Sequence, residues 1–186
     1  MRLALREARV AFDRGEVPIG AVLVRDDQVI SVGSNRVEDL QDASAHAELL
    51  CMRAGAAQLR SWRLSNATLY CTVEPCPMCA AALQAFRVER LVYGAANPRL
   101  GAFESAMRQE APPLHPYHPS MEVSAGVLAV DSAELMRAFF RKCRERKAHS
   151  AAPLDTGRSR VRRFVSDVLR GGRGALGQLY SRLRRV

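Results

Sequence analysis

The sequence predicts a three-layer α/β/α domain around a mixed five-stranded sheet, followed by a basic helical tail. Short β-rich runs alternate along the chain with segments whose apolar residues recur at the helical period, which is typical of an α/β fold. The first two β-rich runs are close enough for a hairpin, whereas later ones follow helices, so one sheet needs both antiparallel and parallel strands. A composition of 48% hydrophobic and 25% charged residues over 186 residues indicates a globular protein, not a disordered or fibrous one.

The chain begins with a helix and a hairpin. Residues 3–12 carry apolar side chains three or four positions apart, and Gly15 ends this helical stripe. The β-rich segments 19–24 and 29–32 are separated by polar residues, which favours a hairpin.

The middle of the chain continues as helix, strand, helix, strand. Ser44 follows a polar stretch and is the predicted N-cap of a helix over 45–59. Residues 67–73 read as a strand, 77–86 as an Ala-rich helix with Pro in its first turn, and 88–93 as another strand.

A long connection and a last helix complete the predicted domain. Residues 95–120 are rich in Pro, Gly and His and predict a long ordered loop, a feature that often has a function. Residues 121–130 are strand-like, and Asp131 is the predicted cap of a helix over 132–147.

The positive charge is concentrated at the end of the chain. Residues 1–148 carry 19 basic and 17 acidic side chains, whereas residues 149–186 carry nine and two. We therefore divide the chain into a domain, 1–148, and a basic tail, 149–186. The tail predicts two amphipathic helices separated by a glycine-rich break, with apolar residues at Val161, Phe164, Val165, Val168, Leu169, Leu176, Leu179, Tyr180 and Leu183. Such a tail fits the phosphates of a nucleic acid or an anionic membrane surface, and it also fits a segment that docks on the domain.

Two features bear on the compartment. No apolar run approaches the roughly 18 residues needed to cross a bilayer, so we expect a soluble protein without a membrane partner. The five cysteines are an odd number, and four of them stand in predicted helices or strands. A disulfide framework is therefore not expected, and a reducing compartment is.

Two short motifs at predicted helix starts predict a zinc site. Cys76 and Cys79 are three residues apart, so both thiols lie on one face of a first helical turn, where the helix dipole lowers thiol pKa. With His46 they give three ligands, one fewer than a closed structural site, which leaves the fourth tetrahedral position for water. The carboxylate of Glu48 is then the predicted proton shuttle. The combination H-x-E followed by P-C-x-x-C resembles the signature of zinc-dependent deaminases.

Simpler interpretations of the same residues stay open. Cys51 or Cys71 is a candidate fourth ligand, which would close the site and make the zinc structural. Glu48 also stabilises a helix N-terminus as any acidic residue does, although this explains neither the histidine nor the two cysteines.

Further motifs accompany the zinc motifs in unbroken order, at 15–24, 33–36, 45–48, 69–80, 87, 92–95, 126–128 and 139–141. Through these motifs the chain resembles the bacterial-type tRNA adenosine deaminases over about residues 3–148. Free-base and nucleotide deaminases share the zinc motifs but lack the Gly-Glu-Val-Pro opening and the Phe-Phe-Arg helix.

The resemblance implies a cytidine-deaminase-like fold and a zinc-dependent activity that converts adenosine to inosine at wobble position 34 of an arginine tRNA, tRNA-Arg(ACG). It implies a homodimer that completes the RNA site across two subunits. It assigns His46, Cys76 and Cys79 to zinc and Glu48 to catalysis. It also assigns a set of substrate contacts, namely Asn35, Pro18, Ile19, Asn97, Phe139, Phe140 and Arg141. Of the two adjacent phenylalanines one is expected to belong to the core, and we expect Phe140 to be at least partly buried.

The resemblance also bears on subgroup and location. The His-Pro-Tyr-His-Pro run at 115–119 looks most like the chloroplast forms from plants and algae. Met1 stands directly before the first predicted helix, so we expect either a plastid protein whose transit peptide is absent from this sequence or a bacterial cytoplasmic protein. The chain departs from the pattern at Asn97, where relatives often have Asp, and at Phe86 and Glu104, where they have smaller residues.

Two other classes of function remain as alternatives. The same chemistry serves guanine, cytosine and deoxycytidylate deaminases, against which the Phe-Phe-Arg segment argues. A catalytically inactive tRNA-binding subunit is the other alternative, and the presence of Glu48 argues against it.

Overall fold

The computed structural model describes residues 1–103 and 121–150, with position 150 described by its backbone alone. The chain divides into two compact units, Met1–Cys143 and Arg144–Val186, and the described part of the second is the helical end at 144–150. The helices are α1 Arg2–Asp13, α2 Val37–Leu40, α3 Ala47–Leu59, α4 Pro77–Ala85 and α5 Ala129–Ser150. The strands are β1 Gly20–Arg25, β2 Gln28–Ser34, β3 Ala67–Val73, β4 Arg90–Ala95 and β5 Glu122–Ser124.

The strands form one mixed sheet in the order β2-β1-β3-β4-β5. β1 pairs antiparallel with both β2 and β3, whereas β3–β4 and β4–β5 are parallel pairs. The β1–β2 pair arises from the hairpin, whereas β3 reaches its place beside β1 after a longer connection through α2 and α3. Each parallel pair follows from a longer crossover between its strands. The predicted mixed five-stranded sheet is therefore confirmed.

Close approaches at glycines show which helix covers which face of the sheet. A Cβ at Gly20 would overlap the Ala4 carbonyl of α1, and a Cβ at Gly33 would overlap the Ala47 carbonyl of α3. Gly33 pairs with Ala21, the neighbour of Gly20, and adjacent residues of a strand face opposite sides. α1 and α3 therefore lie on opposite faces, and β2 is held tightly against the first turn of α3.

The main core lies between the sheet and the layer of α3 and α4. Its strand members alternate along β1, β3 and β4, so that one face of the sheet is continuously apolar. The buried residues of this cluster are Ala21, Leu23, Ala47, Cys51, Met52, Leu64, Ala67, Leu69, Leu83, Val88, Leu91 and Tyr93. On the other face α5 packs beside α1, where the rings of Phe12 and Phe139 lie 5.9 Å apart. The layer of α3 and α4, the sheet, and the layer of α1 and α5 are the predicted three layers.

Two predicted helix caps are wrong. α3 begins at Ala47 with His46 as its N-cap, because the Ser44 hydroxyl donates instead to Asp42 Oδ1 at 2.7 Å in a local turn. α5 begins at Ala129, so Asp131 lies within its first turn and does not cap it. The strand-like segment before α5 is only three residues long, because Gly126 and Leu128 adopt positive φ angles and turn the chain into the helix.

The remaining differences between the predicted and the observed elements are small. The short helix α2 occupies part of the stretch predicted to be a polar connection. Residues 104–120 lie outside the described part of the chain, and with them Glu104, the run at 115–119 and most of the predicted long loop. The predicted tail helices also lie outside it. None of the described helices is both long and apolar enough to cross a membrane.

Candidate metal centre and active site

The three predicted metal ligands meet at the starts of α3 and α4. His46 is the N-cap of α3, Cys76 is the N-cap of α4, and Cys79 lies in the first turn of α4. Pro77 follows Cys76 as the first helical residue, where its missing N–H costs nothing and its fixed φ favours the turn. Two helix N-termini thus face one point, and their dipoles favour the thiolate forms of the cysteines.

The distances between these side chains fit a zinc ion. His46 Nδ1 lies 3.6 Å from Cys76 Sγ and 3.5 Å from Cys79 Sγ. Zinc bonds to sulfur at about 2.3 Å and to histidine nitrogen at about 2.1 Å, and a tetrahedral arrangement then separates the two atoms by about 3.6 Å. All three ligand atoms lie within 4.8 Å of one another. The three side chains therefore fit zinc in both chemistry and spacing.

The ionisation of the cysteines suits the same role. A hydrogen bond with the Cys79 thiol is the main effect that lowers the pKa of Cys76 to about 4, and His46 lowers it further. The same hydrogen bond, together with burial, raises the pKa of Cys79. The contact with Cys76 raises the pKa of His46. Cys76 is therefore the first of the two thiols to ionise, and thiolate is the form that binds metal.

His46, Cys76 and Cys79 are called the metal group below. Neither Cys51 nor Cys71 belongs to it. Both are fully buried, Cys51 on α3 in the main core and Cys71 on β3. Burial raises the pKa of Cys51 to about 12 and that of Cys71 well above its ordinary value, so both remain thiols. Within residues 1–103 and 121–150, the metal group consists of one histidine and two cysteines only. The geometry therefore argues against the closed four-ligand alternative.

Glu48 is a buried carboxyl in the first turn of α3. Its side chain is 3% exposed, and no group in the described part of the chain hydrogen-bonds to its Oε2. Burial is the main effect that raises the pKa of its carboxyl. A carboxyl of this kind, two residues after a metal ligand, has a free oxygen with which to exchange protons with a substrate or a water molecule.

Asn35 follows β2, and backbone hydrogen bonds join its segment to Ile19 and to the residue before His46. Its own N–H donates to the Ile19 carbonyl, and the next N–H, of Arg36, donates to Ala45, which precedes His46. Pro18 is buried and Ile19 is half-buried against the main core. Of the residues predicted to contact the substrate, these three thus lie together at the adjoining ends of β1 and β2.

Asn97 lies in a loop that a second buried carboxylate holds in place. Glu74, two residues before Cys76, accepts hydrogen bonds from the backbone N–H groups of Asn97 and Phe103, both at 2.9 Å. Gly101 fits there because a Cβ would overlap the Glu74 carboxylate. Asn97 Oδ1 accepts from the Leu100 N–H at 3.2 Å, so this oxygen is used within the loop.

The Phe-Phe-Arg segment of α5 lies in the layer of α1, on the opposite side of the sheet from the metal group. Phe139 is only 7% exposed and packs its ring against Phe12, whereas Phe140 is 44% exposed and Arg141 is at the surface. Phe139, not Phe140, is therefore the core residue of the pair. The burial of Phe139 favours a packing role for its ring, and the predicted substrate contact of Phe139 stays a prediction.

Sequence reasoning missed two buried acidic residues near the site, Glu16 and Glu74. Both are 1% exposed and both hold a loop that carries a predicted substrate contact. The sequence feature that could have indicated their burial is an acidic residue directly before a buried apolar or proline-containing run, which is an unusual place for a surface charge.

Phe86, another departure from the family pattern, is half-buried against the main core.

Comparison with known proteins gives consistent matches. The family model for the cytidine and deoxycytidylate deaminase zinc-binding region matches residues 1–95. A tRNA-specific adenosine deaminase of Agrobacterium fabrum is 48% identical over 144 residues, which cover 77% of this chain and 93% of that protein.

Two further matches concern position 34 of tRNA. A chloroplastic tRNA(adenine(34)) deaminase of Arabidopsis thaliana is 49% identical over 154 residues, and the match spans 75% of this chain but only 12% of that much longer protein. A solved structure from work on A-to-I editing by tRNA:A34 deaminases at the wobble position superposes with a TM-score of 0.68. It is 47% identical, and the match covers 73% of this chain and 96% of that one.

Proposed function

Because this chain belongs to the tRNA-specific adenosine deaminases, a family with the cytidine and deoxycytidylate deaminase zinc-binding region, we propose that it converts adenosine to inosine at wobble position 34 of tRNA. Its specific substrate is proposed to be tRNA-Arg(ACG). The observation that carries the proposal is the juxtaposition of His46, Cys76 and Cys79 with the buried Glu48. That arrangement supplies a metal site and, within one helical turn of its histidine, a proton-transfer group.

The metal group is proposed to hold one zinc ion per chain. When bound, the ion supplies Lewis-acid activation of a water molecule. His46 and Cys76 hold their positions as helix N-caps, and Cys79 is fixed by the first turn of α4.

Glu48 is the proposed general acid and base of the hydrolysis. Its carboxylate takes a proton from the attacking water and passes it to N1 of the adenine ring as C6 is attacked. It then passes the second water proton to the departing amine, so that water and adenosine give inosine and ammonia. Burial keeps bulk water away from the carboxyl during these transfers.

Substrate contacts are proposed at the loop ends that surround the metal group. Asn35 is the proposed polar contact to the target nucleoside, and Pro18 and Ile19 are proposed to form an apolar wall for the base. Asn97 is proposed to contact a ribose through its Nδ2, since its Oδ1 is used by Leu100.

The exposed part of α5 is proposed to contact the anticodon stem-loop. Phe140 offers an exposed ring for a base, and Arg141 offers a guanidinium for a phosphate. We expect Phe140→Ala and Arg141→Ala each to raise the Kd for an anticodon stem-loop about tenfold, with little change in single-turnover rate at saturating RNA. Fluorescence anisotropy and rapid-quench assays measure the two quantities.

The matched control for this prediction is Phe139→Ala, at the neighbouring buried ring. It is expected to lower the free energy of unfolding by about 3–5 kcal/mol through loss of core packing. If Phe140→Ala lowers stability to a similar extent and leaves RNA affinity unchanged, α5 serves packing alone.

One assay separates the proposed function from its alternatives. The protein is incubated with an anticodon stem-loop of tRNA-Arg(ACG), and in parallel with free adenosine, guanine, cytosine and deoxycytidylate. We expect inosine in the RNA alone. Turnover of a free base or nucleotide identifies a small-molecule deaminase, and RNA binding without turnover identifies a non-catalytic subunit. Inosine sequencing of a tRNA pool then identifies the tRNA substrates.

A homodimer is proposed on the outer face of α4. This helix contains no charged residue, and its exposed positions are Pro77, Met78, Ala81 and Ala85. An uncharged helix face is suited to close packing against a second copy. Ala81→Glu is expected to convert the dimer to monomers in light scattering, whereas Ala57→Glu, at an exposed position of α3, is not. A dimer that survives Ala81→Glu places the interface elsewhere.

The basic tail, residues 149–186, is proposed to add phosphate contacts that increase tRNA affinity without changing the base that is chosen. A chain that ends at Ala148 is expected to keep zinc and activity but to bind tRNA more weakly, with a shallower dependence of log Kd on log salt. Equal affinities and equal salt slopes for the two chains would exclude this role. Liposome binding by the full chain alone would favour the membrane alternative.

The proposed location is a chloroplast or a bacterial cytoplasm. The similarity to both a chloroplastic deaminase and bacterial ones supports this pair of alternatives.

A further inference from the structure

We infer that Glu16 is a positioning residue that holds the side-chain amide of Asn35 in a single orientation toward the target nucleoside. The inference rests on the function proposed above and extends it to a residue that does not itself touch the metal group. Glu16 lies between α1 and β1, nineteen residues before Asn35 in the sequence.

Both oxygens of the Glu16 carboxylate hold other groups in place. The side chain is 1% exposed, and its Oε2 accepts a hydrogen bond from Asn35 Nδ2 at 3.1 Å. Its Oε1 accepts from the backbone N–H of Asp39 at 2.7 Å. That N–H belongs to the first turn of α2, where a helix cannot satisfy its own donors. Glu16 therefore caps α2 with one oxygen and holds Asn35 with the other.

The buried carboxylate is not accounted for by an ion pair. None of the ion pairs found within 4.0 Å among the described residues includes Glu16. Burying a carboxylate is unfavourable unless hydrogen bonds compensate it, and here the compensation comes from Asn35 and Asp39. The position thus serves the loop that carries Asn35.

The hydrogen bond with Glu16 determines the orientation of the Asn35 side-chain amide. A carboxylate accepts hydrogen bonds and donates none, so the NH₂ group of Asn35 must face Glu16. The opposite orientation would bring two acceptor oxygens together. Asn35 Oδ1 and the second hydrogen of Nδ2 are then presented at fixed positions. A ribose hydroxyl, which both donates and accepts, is the substrate group that fits this pair.

Backbone hydrogen bonds also hold the segment of Asn35 in place relative to the metal group. The Asn35 N–H donates to Ile19, and the adjacent Arg36 N–H donates to Ala45, directly before His46. Asn35 itself is 3% exposed, so its side chain has little freedom to reorient. Loss of the Glu16 contact therefore alters the side-chain amide of Asn35, whereas the two backbone hydrogen bonds remain.

Glu16→Gln tests the inference with almost no change in size. Glutamine has one acceptor oxygen where glutamate has two, so either one of the two donors loses its acceptor or the amide of Asn35 turns over and accepts from position 16 through its Oδ1. In each case Asn35 is no longer held in its original orientation. With an anticodon stem-loop as substrate we expect KM to rise about tenfold, as for the loss of one buried hydrogen bond. We expect kcat to stay within about twofold, since the reacting groups are untouched. Zinc content is expected to be unchanged.

Glu38→Gln is the matched control. Glu38 is an exposed residue of the same short helix α2, so its replacement removes the same charge near the same place without touching the buried contacts. We expect it to leave KM unchanged.

The double variant Glu16→Gln with Asn35→Asp tests whether restored stability is enough to restore KM without the amide of Asn35. In this variant the amide oxygen at position 16 still accepts from the Asp39 N–H, and the NH₂ group of the same amide donates to the new carboxylate at position 35. Both buried hydrogen bonds are therefore restored, with one of them reversed. Thermal stability is expected to return to the wild-type level. KM is expected to remain raised, because the substrate now faces a carboxylate where it needs an amide.

Two results would overturn the inference. One is a KM that is unchanged in Glu16→Gln, and the other is a double variant that recovers KM together with stability, which would show that the nucleoside does not need the amide of Asn35. Failure of the proposed function is distinct from both, because in that case the wild-type protein forms no inosine in the stem-loop at all.

Discussion

Glu48→Gln is expected to abolish inosine formation, with a loss of at least about a hundredfold in kcat and no loss of zinc or of RNA affinity. General acid–base groups contribute about 10²–10⁴-fold, and here one carboxyl is assigned both proton transfers. Glutamine matches the size of glutamate and fills the same buried space, so the fold of α3 is expected to remain. Single-turnover assays with an anticodon stem-loop measure the loss, and metal analysis with binding titrations provides the controls.

The buried environment makes this prediction specific to Glu48. Its Oε2 has no hydrogen-bond partner in the described part of the chain, so replacement breaks no contact of that oxygen within the protein. Glu38→Gln changes the charge by the same amount at an exposed position and is expected to leave kcat unchanged. Turnover by Glu48→Gln within about tenfold of wild type would remove Glu48 from the mechanism.

Cys76→Ser is expected to lower zinc affinity and activity together, each by at least about a hundredfold. Groups that only orient a metal ligand already contribute about 10–100-fold, and Cys76 is itself a proposed ligand. The pKa of Cys76 is lowered to about 4, so its thiolate is available at neutral pH, whereas a serine hydroxyl is not ionised there. Zinc content by mass spectrometry and inosine formation are measured on the same preparations.

Cys71→Ser and Cys71→Ala are the matched changes at a cysteine outside the metal group. Cys71 is fully buried on β3, and burial raises its pKa well above the ordinary value, so it is not expected to ligate metal. Both variants are expected to retain one zinc per chain, although the loss of core contacts lowers stability. Loss of zinc from both would indicate a closed, structural site with four ligands.

The sequence alone predicted the two cysteines of the metal group because their spacing is local. Cys76 and Cys79 are brought together by a single helical turn, and the residue types themselves are those that bind zinc. The mixed sheet was equally predictable, since the short connection makes the first two strands antiparallel and the later strands follow helices. His46 is thirty residues from Cys76, and its inclusion depended on the resemblance to a known motif.

The tertiary structure alone decided how the substrate contacts are held. Asn35 and Glu16 meet across nineteen residues, and Asn97 and Glu74 meet across twenty-three, through contacts that no local period specifies. Packing of α1 against α5 likewise decided that Phe139 is buried and Phe140 is exposed, since two adjacent residues on a helix look alike in sequence. Local periodicity and ligand chemistry are fixed by neighbours along the chain, whereas burial and long-range hydrogen bonds depend on which surfaces the fold brings together.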